Sequence, residues 1–583
     1  MINLTINNKS VSVPEGTTIL KAAEQIGIKI PALCHCDDLK PWGSCGICAV
    51  KSVGPRGAKM IRACSTEVTE GMNIVTTDAE IIKARRTVLE LILSSHPSDC
   101  LQCSRNHRCD LQEIASTMGL RRAGFPKIEK TQPIDDSYAE IVLNREKCIN
   151  CGRCVTACQE MQGVFALEYN GRGDKTIIGP VAGVDLSHSP CIRCGQCAVH
   201  CPVDAITFKN PVKGVFDRLS NPKYTSVVAI APSVRAALGE EFGMQPGEIT
   251  TGKIYSALRE LGFKYVFDTN FAADLTIMEE GTELLERLTK GGKIPMFTSC
   301  CPGWVDYCEK NFHDMLPHLS TAKSPQQMQG AVTKTYFAEK MGLKPSEIFN
   351  VSIMPCTAKL WESRRNKTMA SSGAQDNDMV MTTRELAMLI REAGIDFANL
   401  PEGKCDSLLG AYSGAGTIFG VTGGVMEAAL RTAYFVLTKK ELGPIEYEPV
   451  RGLENVKSAE IDINGTKVRV AVVHQIKYVN AVVEQVRKDL AEGKEPTWHF
   501  IEVMACRGGC VAGGGQPYGV TDELRKIRAK ALYSDDETCV IRQSHNNPEI
   551  KMIYEDYFGK PLGEKSEELL HTSYEERSPY RYD

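Results

Sequence analysis

The sequence predicts a multidomain chain that combines α+β and α/β modules, and three observations support this class. The 583 residues are enough for roughly four domains of about 150 residues each. Cysteines at short, repeated spacings crowd the first third of the chain, which is typical of small metal-bound modules. From Tyr224 onward, strand-like apolar runs such as 227–231 and 470–473 alternate with helical stretches, the pattern of an α/β fold.

Composition narrows the class of protein. Hydrophobic residues make up 43% and charged residues 24%, as in ordinary globular domains, and the net charge of −4 gives no indication of nucleic-acid binding. No apolar run approaches the roughly 20 residues of a membrane span, and residues 1–6 lack the features of a signal peptide. We therefore expect a cytoplasmic protein with no nucleic-acid partner and no membrane span.

Cysteine usage is unusual, with 24 cysteines of which 16 precede residue 202. In a reducing compartment such clusters favour metal binding over disulfides. A secreted disulfide-bonded protein is the alternative, which the repeated Cys-x2-Cys spacing disfavours.

The first module, residues 1–78, is predicted to be α+β. Two alternating segments (4–6 and 11–13) meet at an Asn7-Asn8 turn, and a helix-like stretch over 17–26 ends at Gly27. The spacing of the cysteines that follow resembles a plant-type [2Fe–2S] ferredoxin with a longer first gap, which leaves two candidates for the first ligand. These cysteines are Cys34 or Cys36, then Cys45, Cys48 and Cys64.

The second module, residues 79–125, is predicted to begin with a helix and then carries His96-x3-Cys100-x2-Cys103-x5-Cys109. Three cysteines and one histidine suit structural zinc as well as iron. His96 lies one helical turn from Cys100 and between two cysteine-rich modules, which favours a ligand role. Residues 125–136, rich in proline and charge, are predicted to be a linker.

The third module, residues 140–210, contains an internal repeat of Cys-x2-Cys-x2-Cys-x3-Cys. In two-cluster ferredoxins the fourth cysteine of each run binds the other cluster. Two matched copies disfavour zinc or unligated thiols. The first predicted [4Fe–4S] set is Cys148, Cys151, Cys154 and Cys201, and the second is Cys191, Cys194, Cys197 and Cys158.

Residues 221–583, after Asn221-Pro222, are predicted to form one further domain. Five of its eight cysteines come from three distant segments, TSCCPGW at 298–304, MPC at 354–356 and MACRGGC at 504–510, and the other three, Cys308, Cys405 and Cys539, have no partner spacing. Four of them suit an iron–sulfur cluster or zinc, and the iron–sulfur spacing upstream favours iron. These four are Cys301, Cys356, Cys506 and Cys510.

Cys300 precedes one of these cysteines directly. Adjacent residues of an extended segment point in opposite directions, so Cys300 and Cys301 are poor candidates to bind the same iron. A thiol is also a usable acid–base group near neutral pH. Cys300 is therefore predicted to have a separate role.

The segments TSCCPGW, MPC and EVMACRGGC resemble, in order, the three motifs of [FeFe]-hydrogenases, and the resemblance covers the whole chain in the long form of that family. The first two modules are also similar to the N-terminal part of the large NADH-module subunit of respiratory complex I. The resemblance implies a plant-ferredoxin-like β-grasp domain with Cys34 as first ligand, a His/Cys3 cluster domain, a bacterial 2[4Fe–4S] ferredoxin-like domain and a two-lobed α/β H-cluster domain.

The resemblance also implies the cofactors: one [2Fe–2S] cluster, three [4Fe–4S] clusters and an H-cluster. The last is a [4Fe–4S] cube joined through Cys510 to a two-iron subsite with CO, cyanide and azadithiolate. Cys300 would be the proton donor, and Lys359 would donate to a cyanide. The residues implied to line the pocket are Ala231, Pro232, Ser233, Gln326, Met354 and Met504.

A predicted helix carries Glu280, Glu283 and Arg287 on one face. By themselves these residues indicate an amphipathic helix with a Glu283–Arg287 pair worth about 0.3–0.5 kcal/mol. The resemblance instead implies a proton path from the surface to Cys300 through Arg287, Glu283, Ser320 and Glu280.

The function implied is reversible 2H⁺ + 2e⁻ ⇌ H2, with electrons relayed to ferredoxin or to a flavin/NAD(P) partner. No nucleotide-binding fingerprint is visible in a strand–helix setting, so a flavin or NAD(P) would bind another chain. The complex-I-like front end favours a multisubunit, electron-bifurcating complex of an anaerobe. The alternatives are a non-catalytic or sensory cluster protein and an iron–sulfur assembly relative, both disfavoured by intact motifs.

Overall fold

The computed structural model describes residues 1–130, 133–209, 211–443, 446–463 and 465–580. The end of the predicted third module at 210, two residues of the predicted linker and the last three residues of the tail lie outside this part. The chain divides into two compact units, the first built from Met1–Met161, Phe165–Ser189 and His200–Phe208, and the second from Gln162–Val164, Pro190–Val199 and Lys209–Asp583.

The first unit begins with a five-stranded sheet whose order is β2-β1-β5-β3-β4. Asn7 and Asn8 have φ of 47° and 65°, as a tight two-residue hairpin turn requires. The helix after this hairpin begins where the Thr18 side chain accepts a hydrogen bond from the Lys21 amide. The elements are β1 (Ile2–Ile6), β2 (Lys9–Val13), α1 (Ile19–Gln25), β3 (Ala49–Gly54), β4 (Gly57–Arg62) and β5 (Met72–Val75).

The rest of the first unit consists of short elements around the cysteine segments. Its longest helix is capped by Asp78, whose carboxylate accepts from the Ile81 amide at 2.8 Å. The strands pair as β6-β9 and β7-β8. The elements are α2 (Ala79–Ser94), α3 (Asp110–Thr117), β6 (Val142–Leu143), α4 (Arg153–Thr156), β7 (Glu168–Asn170), β8 (Ile177–Gly179) and β9 (Ile206–Thr207).

The second unit contains two four-stranded sheets, which confirms the predicted two-lobed α/β fold. The first sheet is parallel, in the order β11-β10-β13-β14, and the second has the order β12-β17-β16-β15 with only β15 antiparallel to its neighbour. The strands are β10 (Thr225–Ile230), β11 (Tyr265–Asp268), β12 (Met296–Phe297), β13 (Ile348–Met354), β14 (Met379–Thr382), β15 (Val456–Ile463), β16 (Thr466–His474) and β17 (Phe500–Met504).

Helices cover both sheets of the second unit. None in the described chain is long and apolar enough to cross a bilayer. They are α5 (Gln196–Val199), α6 (Val212–Leu219), α7 (Thr251–Glu260), α8 (Thr269–Glu286), α9 (Pro302–Asn311), α10 (Pro325–Val332), α11 (Ala338–Met341), α12 (Lys359–Glu362), α13 (Thr383–Glu392), α14 (Gly414–Ile418), α15 (Gly424–Thr438), α16 (Ile476–Glu492), α17 (Asp522–Thr538), α18 (Pro548–Ile553) and α19 (Glu564–Leu570).

Candidate active site

A cavity in the second unit lies where parallel strands of both sheets end. Ala231 follows β10, Cys356 follows β13 and Cys506 follows β17, so the carboxyl ends of the strands deliver the predicted segments to one place. The cavity has a volume of about 80 Å³. Its lining includes all the predicted cluster and pocket residues of this domain, namely Ala231, Pro232, Ser233, Cys300, Cys301, Gln326, Met354, Cys356, Lys359, Met504, Cys506 and Cys510.

The four predicted cluster thiols in this cavity accept few hydrogen bonds, and Lys359 is the cation that acts on three of them, Cys301, Cys356 and Cys510. Cys301 Sγ accepts from the Ala505 amide at 3.3 Å, and Cys506 Sγ accepts from Gln196 Nε2 at 3.4 Å. Burial raises the pKa of all four thiols, that of Cys356 to about 12. Four converging sulfurs that do not ionise readily by themselves are a donor set that fits an iron–sulfur cluster, whose iron supplies the missing positive charge.

Lys359 is the cation on the wall of this cavity. Its ammonium donates to the Cys300 carbonyl oxygen at 3.0 Å and to the Glu362 carboxylate at 2.8 Å. Burial opposes its charge, but Glu362 holds the pKa of Lys359 above the ordinary value. The lysine therefore stays protonated beside the cavity, where a positive charge suits anionic ligands.

Cys300 borders the same cavity as Cys301, so the two neighbouring thiols both face the cavity region. Burial, and then the carboxylate of Glu280, raise the pKa of the Cys300 thiol. Cys300 is thus a neutral thiol at the end of a line of carboxylates.

The predicted proton-path residues lie close together on and beside α8. Ser320 Oγ donates to Glu283 Oε2 at 2.8 Å, and the Arg287 guanidinium donates to Glu283 Oε1 at 2.5 Å. Glu280 is 1% exposed, and neither carboxylate oxygen has a hydrogen-bond partner among the described residues. Burial, reinforced by Glu283, raises the pKa of Glu280 to about 8, although Ser320 is near enough to oppose the shift.

A depression of about 460 Å³ connects the outer end of this line with the surface. Glu283 and Arg287 form one part of its wall, and Thr321, His571 and Thr572 form another. Glu283 is 8% exposed whereas Glu280 is 1% exposed, so the carboxylates become more deeply buried towards Cys300.

In the first unit, four cysteine thiols of the first module are neighbours. Cys34 is within hydrogen-bonding reach of Cys45 and Cys64, and Cys48 is within reach of Cys64, whose thiol lowers the pKa of Cys48 to about 7. Cys36 packs apart from them, against Leu39, Ala157 and Met161. The arrangement groups Cys34, rather than Cys36, with the other three.

His96 has the orientation of a ligand. Its Nδ1 lies 2.8 Å from the Pro97 carbonyl oxygen, while the buried Nε2 has no partner in the described chain. A carbonyl that accepts from Nδ1–H leaves the lone pair of Nε2 free for a metal. Cys100 is exposed and Cys103 and Cys109 are half-buried nearby in sequence.

The eight cysteines of the repeat fall into both units. Cys148, Cys151, Cys154, Cys158 and Cys201 belong to the first unit, where burial and the neighbouring Cys201 raise the pKa of Cys148 to about 11. The remaining three, Cys191, Cys194 and Cys197, belong to the second unit.

Among the described residues, no three histidine, cysteine or carboxylate side chains converge tightly enough to hold a single metal ion. The case for clusters therefore lies in the spacing of the cysteines and the burial of their thiols.

Spacing, burial and a carboxylate line beside a thiol-lined cavity define the class of protein as a multicluster iron–sulfur redox enzyme. Comparison with protein-family models gives the family. Residues 224–514 match the C-terminal domain of the iron only hydrogenase large subunit. Residues 522–577 match the iron hydrogenase small subunit. Upstream, 1–79 match a 2Fe-2S iron–sulfur cluster binding domain, 85–123 the NADH-ubiquinone oxidoreductase-G iron–sulfur binding region and 147–205 a 4Fe-4S dicluster domain.

Relatives of full length give the same result. The chain is 44% identical to the NADP-reducing hydrogenase subunit HndD of Solidesulfovibrio fructosivorans over 99% of both chains. It is 42% identical to iron hydrogenase 1 of Clostridium pasteurianum over 98% of this chain and 100% of that one. An apo [FeFe]-hydrogenase structure from Chlamydomonas reinhardtii matches with 40% identity and a TM-score of 0.57, covering 64% of this chain and 100% of that chain. The chain belongs to the iron-only hydrogenase family, and it is an oxidoreductase that acts on hydrogen.

The segment that matches the small subunit was not anticipated from the sequence. The last described residues of the chain, 572–580, pack against other parts of the second unit. The Arg577 side chain pairs with Asp306 and, at 2.8 Å, with Glu309. These partners are more than 260 residues away in sequence, so no local spacing pattern could have predicted the contacts.

Proposed function

We propose that this protein is an [FeFe]-hydrogenase that interconverts protons, electrons and H2 at an H-cluster in the cavity of the second unit. The single observation that carries the proposal is the convergence of four cysteines and a fifth thiol, Cys300, on one cavity, with the carboxylate of Glu280 close enough to act on Cys300. When bound, the H-cluster supplies redox-active iron with an open position for hydrogen. The residues proposed to hold its cube are Cys301, Cys356, Cys506 and Cys510.

The chain's other cavity residues position and shield the group. Met354 and Met504 offer soft, adaptable packing, and Ser233 Oγ donates to the Cys510 carbonyl oxygen at 3.3 Å, which steadies the backbone of the proposed bridging ligand. Lys359 places its positive charge at the wall, held there by Glu362. Ala231, Pro232 and Gln326 complete the lining.

Protons are proposed to enter beside Arg287 and to pass through Glu283, Ser320 and Glu280 to Cys300. Glu283 borders the surface depression and accepts from Ser320, which supports the outer half of the path. Glu280 has a pKa of about 8, so it gains and loses a proton near neutral pH, as a relay group must. Cys300, neutral and next to it, is the proposed proton donor at the reacting centre.

Electrons are proposed to travel through one [2Fe–2S] and three [4Fe–4S] clusters. The thiols of the first module support the [2Fe–2S] site, and the free Nε2 of His96 supports the second site. The proposed ligand sets are Cys34, Cys45, Cys48 and Cys64; His96, Cys100, Cys103 and Cys109; Cys148, Cys151, Cys154 and Cys201; and Cys191, Cys194, Cys197 and Cys158.

We also propose that the protein is the cytoplasmic catalytic subunit of a multisubunit complex with flavin/NAD(P)-binding partners, and that ferredoxin exchanges electrons with it. Support comes from full-length similarity to a protein named as a subunit of an NADP-reducing hydrogenase. Affinity purification from the native organism tests this. Co-purifying flavoprotein subunits are expected, and a single band would contradict the complex.

The activity is tested by expressing the full chain with hydrogenase maturation proteins under anaerobic conditions. Infrared bands of CO and cyanide, together with H2 evolution from a reduced dye, are expected. Matured protein without those bands would refute the hydrogenase proposal.

The proton path is tested by a matched pair of substitutions on α8. Glu283→Gln is expected to slow H2 evolution with the infrared bands retained. The control is Glu286→Gln, which should behave like the parent. The Glu286 side chain is 44% exposed in the parent and pairs with Lys290. Parent-like turnover in Glu283→Gln would contradict the path.

A further inference from the structure

The segment that matches the small subunit reaches the proposed proton path. The hydroxyl of Tyr574 donates to the carbonyl oxygen of Ser320. The Ser320 hydroxyl in turn donates to Glu283 at 2.8 Å. Tyr574 therefore touches the residue that stands between the two carboxylates of the path.

The same hydroxyl also lies within hydrogen-bonding reach of the Ser299 side chain. Ser299 directly precedes Cys300, and its hydroxyl donates to the Ala322 carbonyl oxygen at 2.7 Å. One phenol thus joins the backbone segment that carries Cys300 to the segment that carries Ser320. Both segments contribute an essential part of the proposed path.

Tyr574 is held in place from both sides of its own segment. The Thr572 amide donates to the Thr321 carbonyl oxygen at 2.8 Å, and the Arg577 amide donates to the Glu309 carbonyl oxygen at the same distance. The Arg365 guanidinium lies 5.0 Å from the centre of the tyrosine ring. A ring restrained in this way keeps its hydroxyl in one position, which is what preorganisation of a proton path requires.

We propose that Tyr574 is a positioning residue for proton delivery, which holds the Ser320 hydroxyl in line between Glu283 and Glu280. The inference rests on the proposed proton path and assigns a role in it to the segment similar to the small subunit. Burial raises the pKa of the Tyr574 phenol, so it keeps its proton at neutral pH and acts through geometry.

Tyr574→Phe in the matured full chain tests this role, because the substitution removes the hydroxyl and keeps the ring that Arg365 covers. Loss of one hydrogen bond of about 1 kcal/mol corresponds to a roughly fivefold fall in H2 evolution. We also expect a larger solvent deuterium isotope effect and a changed pH profile, with the CO and cyanide bands retained. Tyr557→Phe is the control, because that ring packs against Tyr336 and Phe558 instead.

A double substitution tests whether Tyr574 acts through Ser320. In a Ser320→Ala background, Tyr574→Phe should produce no further loss, since the hydroxyl to be positioned is already absent. An equal loss in both backgrounds would overturn the proposed role.

The two proposals fail in different ways. If Glu283→Gln is slow while Tyr574→Phe keeps the parent's rate and isotope effect, the positioning role is overturned and the path survives. If Glu283→Gln also keeps the parent's rate, the path itself is wrong.

Discussion

Replacement of Glu280 by glutamine should slow catalysis and stabilise the fold at the same time. The carboxyl group is 1% exposed, lacks a hydrogen-bond partner in the described chain, and has a pKa of about 8 against 4.5 for an ordinary glutamate. Between these two values the folded chain holds a proton that the unfolded chain releases. Stability conferred by this side chain therefore falls as pH rises from about 5 to 8.

The magnitude follows from the size of the shift. A full pH unit within that window costs about 1.4 kcal/mol, and less near pH 8 where the folded carboxyl is half ionised, so the parent should lose about 2 kcal/mol relative to Glu280→Gln between pH 6 and pH 8. Below about pH 4 both chains carry a neutral group at this position, and the difference should no longer change with pH. Glutamine cannot titrate, so H2 evolution should fall by a factor on the order of 10²–10⁴.

Two measurements check this. Thermal unfolding of the parent and the variant, compared at pH 6 and pH 8, should show a difference in midpoint that grows with pH. Glu286→Gln is the matched control, because that side chain lies on the same helix but is 44% exposed and pairs with Lys290. A difference for Glu280→Gln that stays constant over this range would mean that the carboxylate is already ionised in the fold, which would refute the reasoning.

Three further predictions follow from the geometry. Cys300→Ala should abolish H2 evolution and leave the infrared bands in place. Cys308→Ala is the control and should remain active, because the buried Cys308 thiol contacts the Phe312 carbonyl oxygen at the end of its own helix. An active Cys300→Ala protein would exclude the Cys300 thiol as proton donor. His96→Ala should lower the iron content by one cluster, as measured by iron analysis and electron paramagnetic resonance. His107→Ala, a change in an exposed side chain, is the control and should keep the full iron content. Equal iron content in both variants would show that His96 is not a cluster ligand. Arg577→Ala should destabilise the catalytic unit by about 1.5–3 kcal/mol, because the buried carboxylates of Asp306 and Glu309 lose one charged hydrogen-bond partner and keep others. Limited proteolysis within 572–580 that stays as slow as in the parent would contradict this.

Local patterns predicted several turns, helices and strands, because the signals for these elements are short in sequence. The Asn7-Asn8 turn, the helix after Asp78 and the alternating strands and helices beyond Tyr224 all depend on neighbouring residues. The family fold could also be predicted, since three cysteine segments in a fixed order are a specific signal. Whether each cysteine binds the metal assigned to it stays a prediction.

Contacts between distant segments could not be predicted in this way. Tyr574 meets Ser320 across 254 residues and Arg577 meets Asp306 across 271, and nothing in the charged tail indicates either partner. Likewise, Arg235 is completely buried against Asp268, a pairing that no helix or strand periodicity reveals. Such contacts depend on topology, which becomes visible only in three dimensions.

The distribution of hydrogen bonds among buried carboxylates sets Glu280 apart from structural acids. Glu279, its neighbour in α8, accepts from the Tyr554 hydroxyl at 2.5 Å and the Leu562 amide at 2.9 Å. Glu502 accepts from two backbone amides at 2.6 and 2.8 Å. A buried carboxylate without such partners destabilises a fold by several kcal/mol when it is charged, so it persists where titration itself is useful. Glu280 is such a group, and Ser320 and Cys300 are its neighbours, so the proposed path requires it both to accept and to release a proton.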